Sequence, residues 1–218
     1  MKKVAIIGAG LAGSEAALVL ARKGTQVTLF EARPHKMTPA HTSDMPAELV
    51  CSNSFKSQEV PSGHGQLKAE LTLLGSPLLS IARQNAVPAG AALAVDREKF
   101  AACVNDAILR EPGISFDRKE CTGIPDGFDY CIIAAGPLAS EGLCAFLTNE
   151  FSATSLNFYD AIAPIIAADS INYSIAFFAS RWEDGEGDYL NCPFNEDEYR
   201  TFFNALTEAD KVVARKFE

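Results

Sequence analysis

The sequence predicts an α/β fold, and three observations carry that expectation. A short apolar run, Val4–Ile7, ends in glycine, as a buried parallel strand does. Ser14–Lys23 then reads as a helix, with Ala17, Leu20 and Ala21 on one face, basic residues near its negative end and Gly24 as its C-terminal cap. A second run, Val27–Phe30, completes a strand–helix–strand unit, whose crossover sets the strands parallel and side by side.

The turn inside this unit is Gly8-Ala9-Gly10-Leu11-Ala12-Gly13, a G-x-G-x-x-G pattern that follows a strand and opens a helix. Each glycine has a physical task there. Gly8 allows a tight turn, Gly10 lets a pyrophosphate approach the backbone, and Gly13 permits close packing of helix on strand. The helix N-terminus offers N–H groups and partial positive charge to phosphates. Glu31, at the end of the second strand, suits the ribose hydroxyls of NAD or FAD and disfavours the ribose phosphate of NADP. Tyr130–Ala134, a later buried strand closing on Ala135-Gly136-Pro137, resembles the segment that returns to the cofactor in flavoproteins, which favours FAD. The expectation is a Rossmann-like FAD/NAD(P)-binding domain over residues 1–150. The start of a second, inserted α+β domain follows over 151–218.

The intervening elements follow in order. Ala32–Pro46 is a Pro-, His- and Thr-containing loop, longer than structural connections usually are, which hints at function. His64–Leu74 reads as a helix with Leu67, Leu71 and Leu74 aligned, and Leu93–Val95 as a short strand. Asp96 is placed to cap a helix over Arg97–Arg110, where Phe100, Cys103, Val104, Ala107 and Ile108 keep helical spacing. Weaker strands are expected at Ile114–Phe116 and Glu120–Thr122. Beyond residue 150, Phe158–Ile166 and Ile175–Ala179 suggest strands, Glu183–Glu198 is acidic and turn-rich, and Tyr199–Leu206 reads as a final helix.

Composition narrows the function classes. The 218 residues are 48% hydrophobic and 22% charged, an ordinary globular balance that argues against a disordered chain. No apolar stretch reaches the roughly 18 residues that a membrane-spanning helix needs. The N-terminal lysines before an apolar run imitate a secretory signal, but Ser14, Glu15 and the glycines interrupt it, so a cytoplasmic protein is expected. Six cysteines without a Cys-x-x-Cys pair agree, with Cys103 and Cys131 among apolar neighbours as reduced core cysteines. His35, His41 and His64 have no metal-ligand spacing. The net charge of −9 is uneven: residues 1–100 carry 11 Lys/Arg against 8 Asp/Glu, and residues 101–200 carry 5 against 17. A polyanionic partner would therefore meet the first half.

Further segments are more particular. Glu31-Ala32-Arg33-Pro34, Thr38-Pro39-Ala40-His41 and Ala47-Glu48-Leu49-Val50-Cys51-Ser52-Asn53-Ser54 follow the glycine turn. Then come Val87-Pro88-Ala89-Gly90, Ala92–Arg97, Phe158-Tyr159-Asp160-Ala161, Ala168–Ile171, Ala179-Ser180-Arg181 and Tyr189–Pro193. In this order they resemble the TrmFO family, folate- and FAD-dependent tRNA (uracil-5-)-methyltransferases related to the GidA flavoproteins. The resemblance covers essentially the whole chain, which stops about halfway through the family's sequence. A second cysteine and a C-terminal segment closing around the flavin are expected beyond that point. Phe55-Lys56 stands where the family commonly has Leu-Arg.

The resemblance implies the chemistry. FAD, reduced by NAD(P)H, would take a one-carbon unit from methylenetetrahydrofolate and deliver it as a methyl group to C5 of a uracil in the tRNA T-loop. C5 is a poor nucleophile until a thiolate adds to C6, and Cys51 matches the family's reactive cysteine. Without the resemblance, Cys51 reads as structural or incidental; its polar surroundings are modest support for reactivity. Arg33, Lys36 and Lys56 are candidate phosphate or RNA contacts, Arg33 also a candidate cofactor-binding residue, beside the default reading as solvated charges. His41 is open between a folate, flavin or RNA contact and a loop-packing role. The same chemistry on ribosomal RNA, or a non-catalytic dinucleotide-binding fragment, are the competing readings.

Overall fold

The computed structural model describes residues 2–151, 166–180 and 187–210. Contacts divide the chain into two units, Met1–Val87 with Ala91–Ala163 and Pro88–Gly90 with Pro164–Glu218. The expectation from the sequence put the division near residue 150. Among the described residues no helix is long and apolar enough to cross a membrane.

The first unit opens with β1 (Lys3–Ile7), α1 (Leu11–Arg22) and β2 (Gln26–Phe30). It continues through β3 (Ser54–Ser57), α2 (Gly63–Leu73), α3 (Pro77–Gln84), β4 (Ala86–Val87), β5 (Ala92–Val95) and α4 (Arg97–Arg110). It ends with β6 (Ile114–Asp117), β7 (Tyr130–Ile133) and α5 (Glu141–Glu150). Four of the strands form a parallel sheet in the order β6-β2-β1-β7. Val4, Ala5, Ile6 and Ile7 are all buried, because a strand paired on both edges and covered on both faces has no wet side. The register pairs Ile7 with Phe30 on one side and with Ile133 on the other, so three strands end level at one edge of the sheet. The fold is Rossmann-like.

Helix α1 covers this sheet with Ala17, Leu18 and Ala21, which are buried. It begins at Leu11, three residues before the expected start, because Gly13 lies inside its first turn rather than ahead of it. Gly24 closes it in the left-handed conformation at φ +82°, its N–H donating to the Ala21 carbonyl at 2.8 Å. Helix α4 begins as expected, the Asp96 carboxylate accepting the Lys99 N–H at 3.1 Å. Phe100, Val104 and Ile108 drive its inner face into the core with Leu29, Leu93 and Val95.

Several expectations need correction. Cys103 is exposed, not a core cysteine: it stands one position off the Phe100–Val104–Ile108 face. Leu67 and Leu74 are exposed too, since α2 turns Gly65 and Lys68 inward, and Leu71 alone of that stripe packs on the core. Residues 120–122 are loop; β6 already forms the sheet's edge beyond β2. Helices α3 and α5 add to the elements expected, as do β3 and β4, which pair antiparallel with the expected strand β5.

The second unit holds β8 (Phe177–Ala179) and β9 (Tyr189–Asn191), an antiparallel pair, and α6 (Glu196–Glu208). Asn195 and Glu198 form a reciprocal capping box at the start of α6, with both bonds at 2.9 Å. The Gly90 N–H donates to Asp188 Oδ2 at 2.6 Å, and the Tyr189 hydroxyl to the Ala89 carbonyl at 2.6 Å. The expected strand Phe158–Ile166 lies outside the described residues except for Ile166, which has no regular structure.

Candidate functional site

A cavity of about 330 Å³ opens at the level carboxyl ends of β1, β2 and β7. From β1 the chain leaves to one side for β2, and β7 returns on the other. In parallel sheets such a reversal of strand order is where nucleotides bind. Gly8, Gly10, Leu11, Ala12, Glu31, Arg33, Cys51, Ala135 and Gly136 all line it. Ala9 and Gly13 stand behind its wall, where both are buried.

The glycine turn divides its tasks by geometry. Gly8 has φ +100°, and a Cβ there would come within 2.7 Å of the Ala134 carbonyl and Ala135 Cα. Only glycine lets the return strand pass so close. A Cβ on Gly13 would lie 1.8 Å from the Gly8 carbonyl, so helix and turn touch through bare backbone. Gly10 differs: nothing lies within 4 Å of where its Cβ would be. Its open space faces the first turn of α1, which has no side-chain cap and no acidic residue. Helices α2, α3, α4, α5 and α6 are all capped by a Ser, Asp or Asn side chain. An uncapped N-terminus beside bare backbone suits a diphosphate.

Glu31 is 8% exposed at the end of β2. Its Oε2 accepts the Ala9 N–H at 3.0 Å, while Oε1 accepts the Arg33 N–H at 3.1 Å and Nε–H at 2.9 Å. Oε2 keeps capacity for one more donor, as a ribose hydroxyl would supply. Burial pushes the Glu31 carboxyl up, but the Arg33 guanidinium and the two N–H groups outweigh it and hold the group below its ordinary value. Stability from this depressed carboxyl is complete above the ordinary carboxylate range and is lost as pH falls through the lower folded value.

Arg33 is not a solvated surface charge: it is 2% exposed. Its Nη1 donates to Glu48 Oε2 at 3.1 Å and to the Ser43 carbonyl at 3.2 Å, besides the bond to Glu31. Lys36 pairs with Glu120 at 2.9 Å, and Lys56 stands on β3 with φ +66°. Cys51 is exposed at the cavity lining with His41, whose Nδ1 lies 2.6 Å from the Thr38 hydroxyl. Burial pushes the thiols of Cys121 and Cys131 up, away from thiolate chemistry.

Sequence reasoning missed a further wall, made by Lys119, Glu120 and Cys121 and by Leu138, Ser140 and Leu143. One signal was readable: Ser140 followed by Glu141 is a helix start, and the Ser140 hydroxyl accepts the Leu143 N–H at 3.3 Å.

The parallel sheet, the glycine turn, the uncapped helix and the carboxylate at the end of β2 define a dinucleotide-binding protein of the Rossmann type. The residues present fit the diphosphate and adenosine ribose of FAD. The model of the family described as glucose inhibited division protein A, GidA, matches residues 3–218, and the chain belongs to that family. Curated relatives carry the name methylenetetrahydrofolate--tRNA-(uracil-5-)-methyltransferase TrmFO. That of Oleidesulfovibrio alaskensis is 51% identical across 100% of this chain and 50% of its own length. The Nitratidesulfovibrio vulgaris (strain DP4) protein is 53% identical across 98% of this chain and 45% of its own. The chain thus spans about half the length of the curated relatives it matches. Among solved structures, Aquifex aeolicus GidA in its form I crystal matches 62% of this chain and 25% of its own at 16% identity, with a TM-score of 0.49.

Proposed function

We propose that this chain forms the FAD-binding, thiol-bearing part of a folate-dependent tRNA (uracil-5-)-methyltransferase. The observation that carries the reading is one cavity lined by both the Gly10 cradle and the Cys51 segment. The relatives' printed name supports the substrate class, a uracil in tRNA, and the use of methylenetetrahydrofolate. Bound FAD, reduced by NAD(P)H, would supply the hydride that turns the transferred carbon into a methyl group.

The chain's own residues divide the remaining work. Leu11 and Ala12 at the start of α1 face the diphosphate with N–H groups, and Gly13 lets the helix pack against the turn behind them. Glu31 accepts from the ribose, and Ala135 and Gly136 border the path toward the flavin ring. Cys51 adds as thiolate to C6 of the uracil, so that C5 gains the electron density to attack the one-carbon unit. Loss of the C5 proton then releases the carrier of the one-carbon unit and leaves an exocyclic methylene on the ring. Hydride added to that methylene would complete the methyl group and expel the Cys51 thiolate from C6. The T-loop as the site of that uracil, and the cytoplasm as the place of action, belong to the same reading.

The test uses a protein spanning the relatives' full length. Cys51→Ala should keep its flavin absorbance after gel filtration while methyl transfer from methylenetetrahydrofolate to tRNA falls by at least about a thousandfold. Turnover near that of the unsubstituted protein would refute the assignment of Cys51. A colourless protein that binds NAD but not FAD would refute the cofactor.

A further inference from the structure

The glycine turn and the Cys51 segment are joined by a closed circuit of hydrogen bonds that the proposed chemistry does not itself require. The Ala9 N–H donates to Glu31 Oε2 at 3.0 Å, and Arg33 Nε–H donates to Glu31 Oε1 at 2.9 Å. Arg33 Nη1 carries the circuit on to Glu48 Oε2 at 3.1 Å. The residue before Glu48 closes it, since the Ala47 N–H donates to the Ala9 carbonyl at 2.8 Å. Ala47 is fully buried and holds φ +54°, a left-handed conformation that a non-glycine residue keeps only where its surroundings fix it.

Glu48 is fastened from the other side as well. Its two oxygens accept the backbone N–H and hydroxyl groups of Thr42 and Ser43 at 2.8 to 3.1 Å. Arg118 Nη1 donates to the carbonyls of Arg33 and Asp44, and Arg97 Nη1 holds the Leu49 carbonyl at 3.2 Å. Cys51 follows two residues after Leu49. A guanidinium is the group for this junction, because its planar fork bonds two carboxylates at once and an ammonium on a flexible stem does not.

We infer that Arg33 is a positioning residue: together with Glu31 and Glu48 it ties the ribose end of the dinucleotide site to the segment carrying Cys51. This rests on the proposed reading of the cavity. Occupancy at the ribose then biases the placement of the thiol, and displacement of the 47–51 segment is felt at Glu31. Ala9, Glu31, Arg33 and Ala47 are buried and Glu48 is partly so, and water does not cheaply replace a buried member when its partner is lost.

The test reads alkylation of Cys51 by iodoacetamide, resolved peptide by peptide by mass spectrometry, with partly buried Cys131 as the reference for general loosening. In the ligand-free chain, Glu31→Gln and Glu48→Gln should each raise the Cys51 rate roughly threefold or more and leave Cys131 unchanged. The double variant should go no further than the larger single effect, because both act through Arg33. Arg33→Lys should reproduce it with the charge retained. Multiplying effects, or a Cys51 rate indifferent to Glu31→Gln, would overturn the inference.

ADP added to the unsubstituted chain gives a second measurement that needs no variant to fold. It should change the Cys51 rate at saturation, and saturating binding that leaves that rate untouched would overturn the inference. Failure of ADP to bind while the variants couple as expected would instead count against the dinucleotide reading and leave the circuit standing.

Discussion

At the scale of single residues, Gly8 and Gly13 are needed by the packing of the turn itself, and Gly10 has a different place in the proposed function. Gly10→Val should abolish dinucleotide binding with little loss of fold, since its side chain would enter the open space that a pyrophosphate needs. Gly13→Ala should do the reverse and destabilise the protein by about 1–3 kcal/mol or more, because its Cβ would drive into the Gly8 carbonyl. A thermal melt beside a nucleotide titration checks both; equal melting losses in the two variants would contradict the division. The tight turn at Gly8 and the close helix contact at Gly13 were legible because backbone sterics depend only on local conformation. The burial of Arg33 was not. Nothing in the chain's local pattern shows that Glu48, fifteen residues later, comes back to meet it.

At the scale of elements, legibility followed periodicity and capping. Helix α4 was read nearly whole, as its cap and its inner face are both written in consecutive residues. Asp96→Ala should cost about 1 kcal/mol by removing the acceptor for the Lys99 N–H, and Phe100→Ala about 3–5 kcal/mol by emptying a fully buried position. Denaturant midpoints check the ranking, and an Asp96 loss larger than the Phe100 loss would contradict it. Helix α3 escaped notice although Ser76 caps it and Pro77 sits at its first turn. With eight residues it gives barely two turns of pattern, too few for a period to stand out. The error at Cys103 has the same root: i, i+3, i+4 spacing marks a broad stripe, and only packing decides which edge of that stripe stays wet.

At the scale of the whole molecule, burial is unevenly shared. Every fully buried apolar side chain among the described residues belongs to the first unit, from Val4 to Leu143. In the second, Phe177, Phe178, Tyr199, Phe202 and Phe203 are all about half exposed or more. Backbone amides of β1, β2 and α4 should therefore exchange hydrogen slowly, and those of β8, β9 and α6 faster by orders of magnitude. Comparable protection in the two sets would contradict this. The order of strands across the sheet also has a meaning in time. β1 lies between β2 and β7, and the partner of Ile7 on its far side is Ile133. As the chain emerges from the ribosome, the first strand and its glycine turn wait with one edge unpaired while more than a hundred residues are added. The wall formed by Ala135 and Gly136 does not exist until that edge is zipped. A dinucleotide held as proposed would thus arrive late in the life of the chain, whatever the early appearance of its motif suggests.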